Sequence, residues 1–255
     1  MADKKYYFAS DFHLGVDAGL SSAEREKKII RWLNSIQDHA AHIYLVGDIF
    51  DFWFEYRSVV PKGFVRLLGK LAELTDNGVP VTIFTGNHDM WMFSYLPDEI
   101  GVQVHKAPAK IRLNGKTFLI GHGDGLGPGD KRYKMLKRIF SNPVCQWLFA
   151  HIPPAIGMAI AHRWSQSSRL ASMDYVWHGA HGERLIQYAN QHPELDKIDY
   201  FVFGHRHLPI DFTLKNGRSR YINLGEWLHQ CSYAVFDGQD ISLHFFENDR
   251  GAILP

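Results

Sequence analysis

Residues 79–89, VPVTIFTGNHD, decide the fold class of this chain. The first six residues, 79–84, are rich in β-branched and aromatic side chains and predict a buried strand. The polar group Gly86-Asn87-His88-Asp89 follows directly. Before the strand, residues 61–77 carry leucines at helical spacing and end at Asn77-Gly78, so they predict a helix. A helix followed by a strand that delivers polar side chains at its carboxyl end is typical of an α/β fold.

The same arrangement recurs on both sides of this stretch. Residues 6–10 and 43–46 predict strands, and Ser21-Ser22 predicts the N-cap of a helix between them. Together they predict a βαβαβ start and a mostly parallel sheet. Asn114-Gly115 predicts a hairpin, and the strand pattern at 200–203 is followed by four further short strands in 210–246.

Composition restricts the possible classes of protein. The chain has 255 residues, 45% of them hydrophobic, and 28 basic residues against 27 acidic ones. This balance predicts no nucleic-acid partner, and no obligate protein partner is evident. The polar N-terminus is unlike a signal peptide, and no apolar run reaches the roughly 20 residues that a membrane span needs. Because the two cysteines form no disulfide framework either, we predict a cytoplasmic protein.

Seven potential metal ligands occur in five short motifs. Each motif alone also fits a turn or a helix cap, but four of the five follow an apolar run, and together they supply enough ligands for two ions. Carboxylates, imidazoles and an amide without a thiolate suit Mn²⁺, Fe or Zn²⁺. The ligands are Asp11, His13, Asp48, Asn87, His122, His205 and His207.

The order of these motifs resembles that of the calcineurin-like metallophosphoesterases: D-x-H, G-D, G-N-H-D, G-H and G-H-x-H. The resemblance extends from Asp11 to His207. It implies an α/β fold, a four-layer αββα sandwich of two mixed β-sheets. We expect a single domain over residues 1–255, with a helical cap inserted at about 130–192.

The resemblance also implies the roles of the ligands. Asp11, His13 and His207 would hold one ion, Asn87, His122 and His205 the other, and Asp48 would bridge them. The ions would be Mn²⁺, with Fe or Zn²⁺ as alternatives, and a metal-bound hydroxide would attack phosphorus.

Two motif residues beside the ligands have a catalytic interpretation. The resemblance implies that His88 stabilises the transition state or protonates the leaving oxygen, that Asp89 orients His88, and that Asn87 also contacts the phosphate. The alternative for His88 is a structural role next to the ions. Asp51 and Asp124 either support ligands or form turns, and we expect a surface role for Arg206.

A narrower resemblance is to the UDP-2,3-diacylglucosamine pyrophosphohydrolases of lipid A synthesis. It depends on residues 47–53 (GDIFDFW), the helical stretch 130–178 and residues 223–227 (NLGEW). It implies cleavage of a nucleotide-linked lipid to UMP and 2,3-diacylglucosamine 1-phosphate, at the cytoplasmic surface of the inner membrane. The substrate contacts would be Asn87, His88, Asp130, Tyr133, Ser168 and His205, with Arg163 added on charge alone.

Other interpretations stay open at this point. Better-known members of that narrower family carry G-N-R-D, where this chain has His88. The enzyme could therefore act on another nucleotide, phosphodiester or phosphoprotein, and a non-catalytic scaffold is a third possibility that the retention of all seven ligands disfavours. An open apolar groove in 130–178 would indicate a lipid, and a polar, closed face a soluble substrate. The apolar residues of this segment could also only pack the insertion onto the main fold: Trp147, Phe149, Ile152, Ile156, Ile160 and Trp164.

Overall fold

Two β-sheets form the centre of the molecule in the computed structural model, which describes residues 4–161, 163, 176–248 and 251–255. The strands of the first sheet are β1 (Lys5–Ala9), β2 (Ala40–Val46), β3 (Val81–Phe84), β4 (Gln103–His105), β10 (Ser232–Phe236) and β11 (Ile241–Phe245). Those of the second are β5 (Ala109–Leu113), β6 (Lys116–Gly121), β7 (Tyr200–Phe203), β8 (Pro209–Thr213) and β9 (Arg220–Leu224).

Both sheets are mixed. The first has the order β11-β10-β1-β2-β3-β4, in which β1 to β4 are parallel and β10 and β11 join antiparallel. The second has the order β5-β6-β7-β9-β8, with β6, β7 and β9 parallel and the two edge strands antiparallel. The predicted parallel βαβαβ start and the Asn114-Gly115 hairpin are therefore confirmed.

Helices cover the outer faces of the sheets and form the segment after β6. Their bounds are α1 (Ser22–Ile36), α2 (Val65–Asp76), α3 (Lys131–Phe140), α4 (Pro143–Ala150), α6 (Gly179–Gly182) and α7 (Arg184–Asn190), and α5 begins at residue 154 and is described as far as residue 161. Short 3₁₀ helices occupy Gln37–His39 and Leu195–Lys197, and a π-helical turn occupies Leu96–Ile100. Among the described residues, no helix is both long and apolar enough to cross a membrane.

Helix α1 begins where the sequence predicts. Ser21 is its N-cap, and the Ser21 hydroxyl accepts a hydrogen bond from the Glu24 amide at 3.3 Å. In return the Glu24 carboxylate accepts one from the Ser21 amide at 3.1 Å. This reciprocal pair is a capping box, which satisfies two amides that the helix itself leaves unpaired.

Helix α2 begins later than predicted, at Val65 and not at Pro61. Gly63 and Phe64 have left-handed φ angles of 108° and 58°, which no α-helix accommodates. The start of α2 is capped from another helix, because the Glu26 carboxylate of α1 accepts hydrogen bonds from the Arg66 and Leu67 amides, both at 3.0 Å. A cap from a residue 40 positions away leaves no local sequence signal.

The alternation of side chains along the strands produces four layers. In β1, Tyr7 and Ala9 face α1 and α2, whereas Phe8 faces the second sheet and stacks on Phe118 of β6 with ring centroids 5.8 Å apart. On the far side of the second sheet, Leu185 of α7 packs against the strands. Helices, sheet, sheet and helices thus follow one another, and the predicted αββα sandwich is confirmed.

The segment between β6 and β7 has two parts. Helices α3 to α5 lie beyond the sandwich, while α7 forms part of the outer layer on the second sheet. Helix α7, which lies within the predicted 130–192 insertion, therefore packs against the second sheet. The single-domain assignment and the bounds of the cap stay predictions.

Candidate metal centre

The seven predicted ligands lie in loops that follow five strands. Asp11 and His13 follow β1, Asp48 follows β2 and Asn87 follows β3 in the first sheet. The remaining three come from the second sheet: His122 follows β6, and His205 and His207 follow β7. Parallel strands direct their carboxyl ends to one edge, so the two packed sheets bring all seven side chains to the same end of the sandwich.

One group of potential ligands consists of Asp11, His13 and His207, whose ligand atoms lie within 4.8 Å of one another. His207 Nε2 is 3.0 Å from Asp11 Oδ1 and 3.2 Å from His13 Nε2. Two neutral imidazole nitrogens and a carboxylate oxygen at these separations can coordinate a divalent cation.

A second group consists of Asp48, His122 and His205. His122 Nε2 lies 3.2 Å from Asp48 Oδ2 and 3.2 Å from Asn87 Oδ1, so Asn87 adjoins this group. His122 Nδ1 is 3.0 Å from the Val46 carbonyl oxygen. Because a carbonyl only accepts, Nδ1 carries a proton, and Nε2 is the nitrogen available for a cation.

Asp48 lies between the two groups. Its Oδ2 atom is 3.2 Å from His122 Nε2 and 3.8 Å from His13 Nε2. Its other oxygen, Oδ1, accepts a hydrogen bond from the His88 amide at 2.9 Å, which holds the carboxylate in place. This geometry suits a carboxylate shared by two cations.

Unsatisfied buried atoms support a cation at the first group. Within the described residues, Asp11 Oδ1 and His13 Nδ1 are buried and make no hydrogen bond of regular geometry, although His207 Nε2 lies 3.0 Å from the first and the Asp51 carboxylate 3.5 Å from the second. Buried polar atoms in proteins are nearly always paired. A cation coordinated by Asp11 would supply a partner for this oxygen. These residues therefore fit the metal ion that the fold implies.

The backbone of the centre is strained. Five of the seven predicted ligands adopt left-handed φ angles between 44° and 67°, a conformation that non-glycine residues rarely occupy. Such strain persists only where surrounding contacts hold it, and it concentrates at functional sites. The five are Asp11, His13, Asp48, His205 and His207.

Two motif glycines allow the loops to approach one another. A Cβ atom at Gly86 would overlap the Asp48 carboxylate, and one at Gly47 would overlap the His122 ring. Gly47 also has a φ of 83°. The glycines of the G-D and G-N-H-D motifs are therefore needed for close approach as well as for the turns.

The neighbouring carboxylates hold two of the predicted ligands, His13 and His122, protonated when no cation is bound. Burial alone would lower the pKa of His13, but contacts with Asp11 and Asp51 outweigh it and raise the pKa to about 10. Burial likewise opposes protonation of His122, but the charges of Asp48 and Asp11 raise its pKa to about 10. A cation that uses these nitrogens must therefore displace protons.

His88 contacts Asp51 rather than Asp89, which we predicted would orient it. The His88 Nδ1 atom lies 3.1 Å from the Asp51 carbonyl oxygen, while the Asp51 carboxylate is 3.5 Å from His13 Nδ1. Asp51 thus touches both a predicted ligand and the predicted catalytic histidine, which favours the supporting role over a turn.

The prediction that Asp89 orients His88 is wrong in this geometry. The Asp89 carboxylate accepts hydrogen bonds from the amides of Gly86, Ile49 and Phe50 at 2.7, 2.8 and 3.3 Å. These amides occupy both oxygens, so Asp89 ties the loop after β3 to the loop after β2. Burial raises the pKa of Asp89 to about 7.

Comparison with known proteins agrees with this geometry. The family model described as "Calcineurin-like phosphoesterase" matches residues 4–209. The chain belongs to this family. It is therefore a metal-dependent hydrolase, as its motifs predict.

Individual relatives of this calcineurin-like phosphoesterase carry a narrower name. A UDP-2,3-diacylglucosamine hydrolase from Porphyromonas gingivalis is 39% identical over 96% of this chain and 98% of its own length. One from Edwardsiella ictaluri is 28% identical over 92% of this chain and 90% of its own. Among solved structures, Yfce, a phosphoesterase from E. coli, is 15% identical over 95% of this chain and 100% of its own, with a TM-score of 0.44.

Asp124 and Arg206 connect the metal loops of this phosphoesterase to the segment between β6 and β7. The buried Asp124 carboxylate accepts hydrogen bonds from the Tyr133 hydroxyl and the Lys137 ammonium, both at 2.5 Å. Arg206 does not have the surface role that we predicted: it is 18% exposed, and its Nε donates to the buried Glu183 at 2.8 Å. Both residues hold neighbouring chain segments together.

A cavity of about 600 Å³ extends from the metal centre under the cap. Asp51, Asn87 and His88 line one part of it. Aromatic and aliphatic side chains line the rest, among them Phe52, Trp91, Tyr133, Phe140, Phe149 and Ile152.

The sequence did not predict the aromatic cluster that attaches α4 to the body. The Phe149 ring lies 4.8 Å from that of Phe54, 5.8 Å from that of Trp91 and 6.4 Å from that of Phe52. Two features of the sequence pointed to such a cluster: the aromatic run 52–54 and an aromatic content of 14%. Phe149 therefore both packs the cap onto the body and lines the cavity.

The remaining predicted substrate residues are dispersed. Tyr133 lines the cavity. Asp130 lies at the start of α3, and its carboxylate is 3.4 Å from the guanidinium of Arg184 in α7. Arg163 is exposed and does not line the cavity. Ser168, like Trp164, lies outside the described residues.

Proposed function

We propose that this phosphoesterase hydrolyses the diphosphate of UDP-2,3-diacylglucosamine, releasing UMP and 2,3-diacylglucosamine 1-phosphate. The observation that carries the proposal is the apolar cavity that begins at Asn87 and His88 and continues beneath the cap. The names of the curated relatives support the same substrate.

The cavity suits acyl chains in size and lining. Its volume of about 600 Å³ lies within the usual range for ligand pockets. Burial of one methylene group contributes about 0.8 kcal/mol, so ten buried methylenes contribute about 8 kcal/mol. Binding energy of this size, far from the reacting phosphate, is sufficient to select a lipid.

The cavity also opens to solvent, which disfavours the soluble-substrate alternative. Ile139 and Ile160 line the cavity yet are 45% and 50% exposed, so they form an apolar rim. A soluble nucleotide or phosphoprotein would be served by a polar, closed face. An open apolar groove admits a chain that enters from a lipid phase.

We infer that two divalent cations, Mn²⁺ in the first instance with Fe or Zn²⁺ as alternatives, are held by the seven residues named above. When bound, two such cations lower the pKa of water and neutralise phosphate charge. Elemental analysis of protein purified from its native host would identify the metal.

The neighbouring side chains have separate tasks in this proposal. Asn87 offers a carbonyl oxygen to a cation and an amide group to a phosphate oxygen. His88 donates Nδ1–H to the Asp51 carbonyl, which leaves Nε2 directed at the site to hold or deliver a proton to the leaving oxygen. His205 would contact the phosphate from the opposite loop.

The roles of the cap residues follow from their positions. Tyr133 would contact the substrate through its ring, because its hydroxyl is bonded to Asp124. Asp130, Arg163 and Ser168 remain proposed contacts of the sugar or the diphosphate.

We further propose that the enzyme works at the cytoplasmic surface of the inner membrane. Residues 131–163 contain six basic residues and no acidic residue. On α4, Val144, Trp147 and Leu148 share one face and are each more than half exposed, at 64%, 60% and 55%. A basic segment with an apolar helix face suits an anionic bilayer. Sedimentation with anionic vesicles, but not with zwitterionic ones, is the expected result.

A direct test incubates the protein with Mn²⁺ and UDP-2,3-diacylglucosamine in detergent and measures UMP and the lipid 1-phosphate. UDP-glucosamine without acyl chains is the matched substrate, and a cyclic nucleotide represents the soluble alternative. We expect UMP only, or far faster, from the diacylated compound. Equal turnover of the acylated and unacylated compounds, or no UMP with Mn²⁺, Fe²⁺ or Zn²⁺, would overturn the substrate assignment.

A further inference from the structure

Arg25 is a buried cation with an unusual set of partners. It lies in the first turns of α1 and is fully buried. Among the ion pairs of the described residues, none includes Arg25. A buried charge is costly unless it is compensated. The carboxylates of Asp17, Asp51 and Glu226 act on Arg25 without pairing with it, so its hydrogen bonds show which groups it holds.

All of these contacts are backbone carbonyl oxygens of one short segment. Arg25 Nε donates to Phe12 O at 2.8 Å, and Nη2 donates to His13 O at 2.7 Å and to Val16 O at 2.5 Å. Nη1 donates to two further carbonyls, of Ala18 at 3.3 Å and Leu20 at 3.1 Å. A guanidinium has five N–H donors, and here the five hydrogen bonds go to the loop between β1 and α1.

The peptide units around His13 are held from both sides by these bonds. The His13 amide donates to the Asp48 carbonyl at 2.9 Å, and the His13 carbonyl accepts from Arg25. His13 has a φ of 44°, a strained conformation that needs such contacts to persist. The His13 ring is thereby directed towards Asp11 and His207.

We propose that Arg25 is a positioning residue for the metal site formed by Asp11, His13 and His207. Arg25 touches neither the cations nor the substrate, and it acts through the backbone of His13. The second group, built on Asp48, His122 and His205, shares no hydrogen bond with Arg25 among the described contacts. The proposal thus predicts an effect on one metal site of two.

The planar fork of arginine is required for this task. A lysine has three donors on one nitrogen and cannot reach carbonyls spread over residues 12–20. Arg25→Lys keeps the charge and removes the fork. Arg31→Lys is a matched control on the same helix, because Arg31 is half exposed and pairs with Glu247.

The test measures Mn²⁺ binding by titration calorimetry and by electron paramagnetic resonance, with no substrate present. Loss of a residue that orients a ligand typically weakens metal binding about 10–100-fold. We expect Arg25→Lys to weaken one of the two sites by this factor and to leave the other within about twofold. Arg31→Lys should leave both sites unchanged.

A double-mutant cycle separates positioning from general stability. In a His13→Ala background the first site is already lost, so Arg25→Lys should produce little further loss of Mn²⁺ affinity. If Arg25→Lys weakens both sites equally, or acts undiminished in the His13→Ala background, Arg25 is only a structural residue and the proposal is wrong.

Chemical rescue keeps the proposal testable if Arg25→Lys does not fold. Millimolar guanidinium added to Arg25→Ala should restore Mn²⁺ binding at the first site, whereas tetramethylammonium should not. Absence of rescue in folded Arg25→Ala would contradict the proposal. None of these measurements involves the lipid substrate, so they stand apart from the fate of the proposed function.

Discussion

Loading the metal centre should release protons, and the structure indicates how many. In the metal-free protein, His122 Nδ1 faces a carbonyl, and its Nε2 faces Asn87 Oδ1 and Asp48 Oδ2, all of them acceptors. The ring therefore carries two protons, in keeping with its pKa of about 10. His13 has the same raised pKa. Each must lose one proton before Nε2 can coordinate a cation.

The magnitude follows from linkage. Between pH 7 and pH 9 both rings are protonated in the metal-free protein, so Mn²⁺ loading should release about two protons from them. Each released proton raises the apparent affinity of the site that holds that histidine about tenfold per pH unit, so the product of the two binding constants rises about 100-fold per unit. The dependence should flatten above about pH 10, where both rings are already neutral.

The stability of the metal-free protein should show the opposite trend. The folded pKa values of His13 and His122 lie above the ordinary value of 6.5. Their contribution to stability is therefore complete below pH 6.5 and is lost as the pH rises towards 10. Denaturant melts of chelator-treated protein should show a falling free energy of unfolding across this range.

Calorimetry in buffers of different ionisation enthalpy measures the number of protons released. His122→Asn should lower that number by one, and His39→Asn, which changes an exposed histidine outside the site, should not alter it. Release of no protons at pH 7–8, or an affinity that does not change with pH, would refute the reasoning that the carboxylates hold the two rings protonated.

Three further predictions concern single side chains. Asp48→Ala should abolish turnover and weaken both metal sites, whereas the exposed Asp38→Ala should do neither; elemental analysis and a UMP assay measure these effects. His88→Ala should lower turnover by about 10²–10⁴-fold, as for a general acid, while both metals stay bound; loss of both metals would place His88 among the ligands. With the diacylated substrate presented in detergent, where no bilayer is present for the outer face of α4 to contact, Phe149→Ala should raise KM much more than Trp147→Ala does, because Phe149 lines the cavity and Trp147 faces outward. An equal effect of both changes would count against the cavity as the acyl site.

The sequence motifs were sufficient to predict most of the strands and the polar residues that follow them. Hydrophobic runs that end in Gly-Asp or Gly-His carry their information locally, since a strand and the turn after it involve adjacent residues. The capping box at Ser21 and the hairpin at Asn114 are local in the same sense. These predictions agree with the structure.

Errors arose where a distant residue supplies the decisive contact. Helix α2 starts late because Glu26 of another helix caps it. Asp89 lies next to His88 in sequence, yet its carboxylate binds amides of the loop after β2, and Asp51 contacts the His88 ring. No pattern within a window of neighbouring residues reports such contacts.

The sequence by itself determined the chemistry of this protein: ligand types without a thiolate, glycines beside them and strands that end at one edge. The family resemblance implied that these ligands divide into two groups with Asp48 between them. Only the tertiary structure decided the distances within and between the groups, and that Arg25 holds the loop that carries His13. It also revealed the cavity beneath the cap. The physical reason is that residue type sets which bonds an atom can form, whereas separations of 3–4 Å between residues far apart in the chain exist only after the two sheets have packed.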